Sequence, residues 1–182
     1  FRQRPQDKLL YIIMEHLQGT TIERLLDQRQ APLPEAELLS VALQIARALE
    51  TAHGSKVIHR DLKPSNVMLV PDPLSPSMQR VKILDFGIAK VRRRETPTGE
   101  DRTEVGAVMG TPAYMAPEQY RDASSTTGKA DVFALGVMLF EALTCRHPFG
   151  GANTMAVLTG PAPLVRSLQR SVSAELSNLV AA

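Results

Sequence analysis

Cysteine is almost absent from this chain: Cys145 stands alone among 182 residues. An internal disulfide is therefore excluded, and a reducing, cytoplasmic location is expected. Cys145 lies beside an apolar run and reads as a small buried residue rather than a nucleophile. Long hydrophobic runs are missing as well. The longest, Val132 to Leu143, is too short to span a bilayer and suits a buried core helix. Charge of one sign is scarce: the net charge is +2, which makes no case for nucleic acid or an anionic membrane as partner. The single basic run, Arg92-Arg93-Arg94, reads as a solvated loop. No signal peptide opens the chain, and Phe1 does not look like a natural beginning. No Gly-x-Gly-x-x-Gly occurs anywhere.

What is present suffices for one domain with a hydrophobic core. Residues 8–17 are rich in branched and aromatic side chains and predict a buried strand, broken by Gly19. Thr20 stands three residues before Glu23, a capping-box spacing that opens a short helix through Leu25, Leu26 and Gln28. Pro32 and Pro34 end it, and Pro34 suits the first turn of the next helix. That helix, from about Glu35 to His53, carries Leu38, Leu39, Ala42, Ile45, Ala46, Leu49 and Ala52 at helical spacing, with Gly54 as its stop. Val67–Val70 and Val81–Leu84 flank Pro71, Pro73 and Pro76 and predict an exposed hairpin-like pair.

From Lys90 to about Val108 the chain is charged, threonine-rich and aperiodic, the pattern of a functional loop. A helical turn is expected after Pro117, then an apolar helix from Asp131 to about Thr144, closed by Arg146-His147-Pro148. Ala174 to Ala182 is a last helical candidate. No internal repeat is visible. The coarse picture is a mostly helical domain with a few short strands.

One segment carries concentrated chemistry. Residues 59–66 read His-Arg-Asp-Leu-Lys-Pro-Ser-Asn, and Asp-Phe-Gly follows at 85–87. Phosphoryl transfer needs a group to orient the attacking hydroxyl, a cation near the moving phosphoryl group, and metal ions to neutralise phosphate charge. Asp61 can orient a hydroxyl, and Lys63 can neutralise the phosphoryl group. Asn66 offers an amide oxygen suited to magnesium, and Asp85 a second, stronger metal ligand. Gly87 lets the backbone turn sharply after it.

His59 to Asn66, Asp85 to Gly87 and Ala116 to Glu118 occur in the order of the protein-kinase signatures. Asp-Phe-Gly and Ala-Pro-Glu are weak signals alone; the longer loop is strong by itself. Together they make the chain resemble a eukaryotic-type (Hanks-type) serine/threonine protein kinase from about Leu9 to Phe149. The resemblance implies an α+β, mostly α-helical fold: a kinase C-terminal lobe with a few short strands and only the last N-lobe strand. Residues 1–18 would be that strand and the hinge, and 19–182 the helical lobe, truncated at both ends. It implies ATP and Mg2+ as cofactors, and a protein bearing Ser or Thr as substrate.

Residue roles follow from the same resemblance. His59 would pack under Phe86 rather than act as a base, and Arg60 would meet a phosphate on the activation segment. Asp131 matches the aspartate that anchors the catalytic-loop backbone; a helix N-cap is its plainer role, and both can hold together. Thr111, within Gly110-Thr111-Pro112-Ala113-Tyr114-Met115, would hydrogen-bond Asp61 and Lys63. That segment resembles the substrate-docking turn of the serine/threonine class, which Lys63 also resembles, and the wording through Gln119 resembles bacterial members. Met14 would line the back of an adenine pocket, the backbone of Glu15 and Leu17 would bond adenine, and Met68 would form the floor. Ordinary core packing is the plainer reading for both methionines. Thr103 is the best candidate for regulatory phosphorylation, with Thr96 and Thr98 behind it, against a merely solvated loop.

Kinases of this kind hold ATP phosphates with a glycine-rich loop and a strand lysine upstream of the hinge. Neither is found here, so a missing N-terminal lobe is the expected partner and the chain reads as a fragment of a larger kinase. Glu118 would want an arginine from the last helices, where only Arg166 and Arg170 stand. An active parent kinase is the first functional reading and a non-catalytic, pseudokinase-like scaffold the second. A small-molecule kinase is disfavoured by the activation segment and Ala-Pro-Glu.

Overall fold

The computed structural model describes residues 2–3, 10–11, 13–86, 112–121, 126–151 and 154–181. Two short strands, β1 (Arg2–Gln3) and β2 (Leu10–Tyr11), pair antiparallel at the start of the chain. A three-stranded antiparallel sheet follows, in the order β3 (Thr20–Thr21), β4 (Val67–Asp72), β5 (Ser75–Ile83). The rest of the regular structure is helical: α1 (Ile22–Arg29), α2 (Glu35–Gly54), α3 (Pro117–Arg121), α4 (Lys129–Thr144), α5 (Thr154–Thr159), α6 (Val165–Leu168) and α7 (Ala174–Ala181). Single 3₁₀ turns lie at Pro64–Asn66 and Pro112–Tyr114. The fold is α+β and mostly helical.

The apolar pattern explains the layering. In α2, Leu38, Val41, Ile45 and Leu49 are buried at spacings of three and four, which makes one stripe. α4 buries residues around most of its circumference, including Ala134, Val137, Met138, Phe140 and Leu143, so it forms the centre rather than the surface. One core cluster joins Ile22, Ile45, Leu62, Val67, Leu69 and Met138, bringing α1, α2, the 59–66 loop, β4 and α4 together. A second gathers Leu33, Leu38, Phe140, Val165 and Leu176, seating the last helices on the far end of α4. Along β4, Val67 and Leu69 face the first cluster, so the alternation turns Met68 to the opposite face.

Several expectations are corrected. Within the expected strand over 8–17, β2 covers Leu10–Tyr11, and residues 13–18 have no regular structure. Branched residues favour extended backbone, but a strand also needs a hydrogen-bonded neighbour, which local sequence does not encode. Gly19 does mark a break, for a specific reason: a Cβ there would lie 2.2 Å from the Leu69 carbonyl oxygen. The cap of α1 is Thr21, whose side chain accepts the Arg24 N–H at 3.2 Å, while Thr20 pairs with Leu69 across the sheet. Gly54 remains inside α2, and the chain reverses after it at Lys56, with φ 60°.

The hairpin is longer than expected, turning at Pro73 and Leu74, and β4 is not exposed: Val67, Leu69 and Val70 are buried in the core. Asp72 accepts the Leu74 N–H at 2.8 Å, and this bond, with Arg80 beside it, holds the carboxyl below its usual range. α4 starts at Lys129, so Asp131 lies in its first turn and caps no helix amide. Cys145 is exposed, not buried: it closes α4 in the left-handed region, with φ 53°. A closing position turns its side chain away from the helix face, whatever its neighbours are. The short α5 and α6 were not expected. The Lys90–Val108 loop lies outside the described residues, as does Arg92-Arg93-Arg94. No helix among the described residues is long and apolar enough to cross a membrane.

Candidate active site

The 59–66 loop leaves α2 and enters β4, and its backbone is held by a side chain from the central helix. Asp131, 1% exposed, accepts the Arg60 N–H at 2.8 Å through Oδ1 and the His59 N–H at 2.9 Å through Oδ2. His53 donates to the same Oδ2 from Nε2 at 2.7 Å. Three donors thus satisfy one buried carboxylate, which would otherwise be costly to bury. The His53 ring is accommodated because Gly128 precedes α4; a Cβ there would lie 2.6 Å from Nδ1. Arg60 itself takes φ 66°, a left-handed conformation that side-chain-bearing residues rarely adopt.

His59 is fully buried and works in two directions. Its Nδ1 accepts the Asp61 N–H at 3.2 Å, so the proton sits on Nε2, which donates to the Leu84 carbonyl at 2.8 Å. Its ring packs against Phe86 with centroids 4.9 Å apart. The Leu84 N–H donates to the Asn66 carbonyl at 2.8 Å. Leu84 is therefore held on both sides by the loop, and Asp85, exposed and with φ 50°, follows directly.

Within the loop, Lys63 Nζ lies 3.1 Å from Asp61 Oδ2, both side chains partly exposed. Asn66 donates from Nδ2 to the Asp61 carbonyl at 2.9 Å, so its amide oxygen is the atom of this side chain that could meet a metal. Asn66 and Asp85 thus stand on adjoining strand ends. One carboxylate with one amide oxygen suits magnesium, which takes few protein ligands and completes its shell with phosphates and water.

A second assembly fixes the segment Pro112–Tyr120. The Tyr114 hydroxyl donates to Glu141, the Tyr120 hydroxyl to the Pro112 carbonyl, and His147 Nε2 to the Ala113 carbonyl at 2.7 Å. Burial, then the bond to Glu141 and its charge, push the Tyr114 phenol far above its ordinary value. Gln119 bridges this segment to the loop: Oε1 accepts the Ala116 N–H at 3.0 Å and Nε2 donates to the Arg60 carbonyl at 3.0 Å. Sequence reading singles out neither His53 nor Gln119. Their only local signals are a histidine closing an amphipathic helix and a glutamine directly after Ala-Pro-Glu.

The other candidates are placed as follows. Met14 is 68% exposed, and Met68 is half-buried. Glu15 pairs with Lys82 at 3.1 Å, and Leu17 is half-buried. Glu118 is half-buried, and neither Arg166 nor Arg170, both exposed, forms an ion pair with it. Gly87, Thr96, Thr98, Thr103 and Thr111 lie outside the described residues.

Comparison with known proteins identifies the family. Residues 3–177 match the family described as Protein kinase domain. The chain is 37% identical over 181 residues to the serine/threonine-protein kinase pkn3 of Myxococcus xanthus, covering 96% of this chain and 32% of that protein. It is 32% identical over 179 residues to the serine/threonine-protein kinase PrkC of Bacillus subtilis, covering 96% of this chain and 26% of that protein. The chain therefore spans about a third or less of these relatives' length. The crystal structure of the Mycobacterium tuberculosis PknI kinase domain has the same fold, with a TM-score of 0.64 and 24% identity over 92% of this chain and 56% of that one. With a family match over nearly its whole length and relatives this close, the chain belongs to the protein kinase domain family.

Proposed function

We propose that the protein containing this chain transfers the terminal phosphoryl group of ATP to serine or threonine side chains of proteins, and that this chain is its catalytic and substrate-docking lobe. The observation that carries the reading is the convergence of Asp61, Lys63 and Asn66 with the strand end that bears Asp85. Residues 1–18 form the last N-lobe strand region and hinge, and 19–182 the helical lobe. The missing N-terminal lobe is its partner, and the location is cytoplasmic.

Asp61 orients the substrate hydroxyl and takes its proton as the oxygen attacks. Lys63, already beside Asp61, moves its ammonium to the phosphoryl oxygens where charge is greatest in the transition state. Asn66 and Asp85 hold Mg2+, which when bound neutralises the phosphates and aligns them. Thr111 bonds Asp61 and Lys63 and keeps them in register with the acceptor. The backbone of Glu15 and Leu17 bonds adenine, with Met14 behind it and Met68 below. His59, Phe86, Gly87, Glu118 and Asp131 have structural roles around this centre. Phosphate on Thr103 pairs with the Arg60 guanidinium and orders the segment between Asp85 and Thr111.

The test is transfer from radiolabelled ATP by the full-length protein, followed by phosphoamino-acid analysis. Phosphoserine or phosphothreonine is expected. Binding of ATP without transfer would instead identify a non-catalytic scaffold. Mass spectrometry of the active protein tests the regulatory part, which fails if Thr96, Thr98 and Thr103 are all unmodified.

A further inference from the structure

Gln119 makes a contact that helix capping does not explain. Its Oε1 on the Ala116 N–H, 3.0 Å away, is the reach-back half of a capping box at the start of α3. A glutamate would do this equally well. Its Nε2, however, donates at 3.0 Å to the carbonyl of Arg60, which lies 59 residues earlier in the chain.

That carbonyl belongs to the peptide unit joining Arg60 to Asp61. The other end of the same unit, the Asp61 N–H, is held by His59 Nδ1 at 3.2 Å. The preceding unit is held by Asp131, which accepts the Arg60 N–H at 2.8 Å. Arg60 sits at φ 66°, a conformation that persists for a residue with a side chain only where its surroundings over-determine it. Rotating the Arg60–Asp61 peptide would swing the Asp61 carboxylate with it. Among the described groups that bond these two peptide units, Gln119 comes from the segment that carries the docking turn. Gln119, Arg60, Asp61, Tyr114, Met115 and Asp131 also line one small cavity.

We propose that Gln119 is a positioning residue for phosphoryl transfer: its amide nitrogen locks the Arg60–Asp61 peptide and couples seating of the docking segment to the aim of Asp61. The kinetic consequence rests on the kinase reading above; the lock itself does not.

Two variants of the full-length protein separate this from a capping role. Gln119→Glu retains an acceptor for the Ala116 N–H but sets an oxygen against the Arg60 carbonyl; Gln119→Met loses both bonds. With dephosphorylated casein as acceptor, Gln119→Glu is expected to lower kcat by about tenfold, the worth of one well-placed hydrogen bond, and to leave KM for ATP within about twofold. Its melting temperature should fall by less than that of Gln119→Met, which loses both bonds and should lose rate as well. Hydrogen exchange at the His59, Arg60 and Asp61 amides should accelerate in both variants, with α2 and α4 unchanged. A Gln119→Glu protein with wild-type kcat and wild-type exchange at those amides would overturn the proposal and leave Gln119 as a cap. If the wild type transfers no phosphate, the kinase reading fails, and the exchange comparison still decides whether Gln119 locks the peptide.

Discussion

Asp131 holds the backbone of Arg60 from 71 residues further along the chain, its Oδ1 lying 2.8 Å from the Arg60 nitrogen. The aspartate is buried in the first turn of the apolar helix α4, so the helix that organises the core also dictates the course of the 59–66 loop. Replacing it strands the donors of His53, His59 and Arg60 together. Asp131→Ala is expected to lower the unfolding free energy by about 3 kcal/mol or more, and Asp131→Asn by less, because one acceptor oxygen remains. Denaturant unfolding of the full-length protein measures both; a loss under about 1 kcal/mol for Asp131→Ala would mean that the loop does not depend on it.

His59 links the loop to the strand end that carries Asp85. His59→Phe preserves an aromatic ring against Phe86 but leaves the Asp61 N–H and the Leu84 carbonyl without their partner. A destabilisation of about 2–6 kcal/mol is expected, from about 1–3 kcal/mol for each of the two stranded groups. A folded variant of wild-type stability would show that ring packing alone is what His59 provides.

Leu62 sits between Asp61 and Lys63 and is 2% exposed, at the meeting point of α1, α2, β4 and α4. Leu62→Ala is expected to cost about 2–5 kcal/mol through lost burial and the cavity left behind. It should also weaken magnesium-dependent ATP turnover, since the flanking residues lose their footing. Unfolding curves together with turnover rates read both effects.

Acid sensitivity has an identifiable source at the other end of the core. Glu35 accepts from the Ser173 hydroxyl and from its N–H at 2.9 Å, and these bonds hold its carboxyl below the ordinary value of 4.5. Between the two values the unfolded chain binds more protons than the folded one, so stability rises with pH there. The contribution is whole above about pH 4.5 and is lost as the pH falls through the folded value. Glu35→Gln keeps an acceptor but cannot titrate there, so its stability should fall less steeply with acid in this window. Parallel acid-unfolding curves would remove Glu35 as a source.

Local pattern carried the parts whose information is local. α2 and α4 were readable because each has enough turns for an apolar repeat to show, whereas α5 and α6 are too short for one. Asp61, Lys63 and Asn66 were readable as a group because they fall within one tight loop. The extent of the first strands was not, because pairing depends on a neighbour rather than on the residues themselves. Cys145 misled for a similar reason: its neighbours are apolar, but a helix end turns it outward. His53 and Gln119 were invisible because their contacts bridge 78 and 59 residues, distances at which no spacing rule operates.

The central claim is that the Asp61 loop and Asp85 perform phosphoryl transfer to protein hydroxyls. Its most direct measurement compares label transfer from ATP to a protein acceptor by the full-length wild type, Asp61→Asn and Asp85→Asn, each checked for an unchanged fold. Phosphoserine or phosphothreonine is expected from the wild type, with a loss of about 100-fold or more in either variant. Transfer at the wild-type rate by Asp61→Asn or by Asp85→Asn would contradict it.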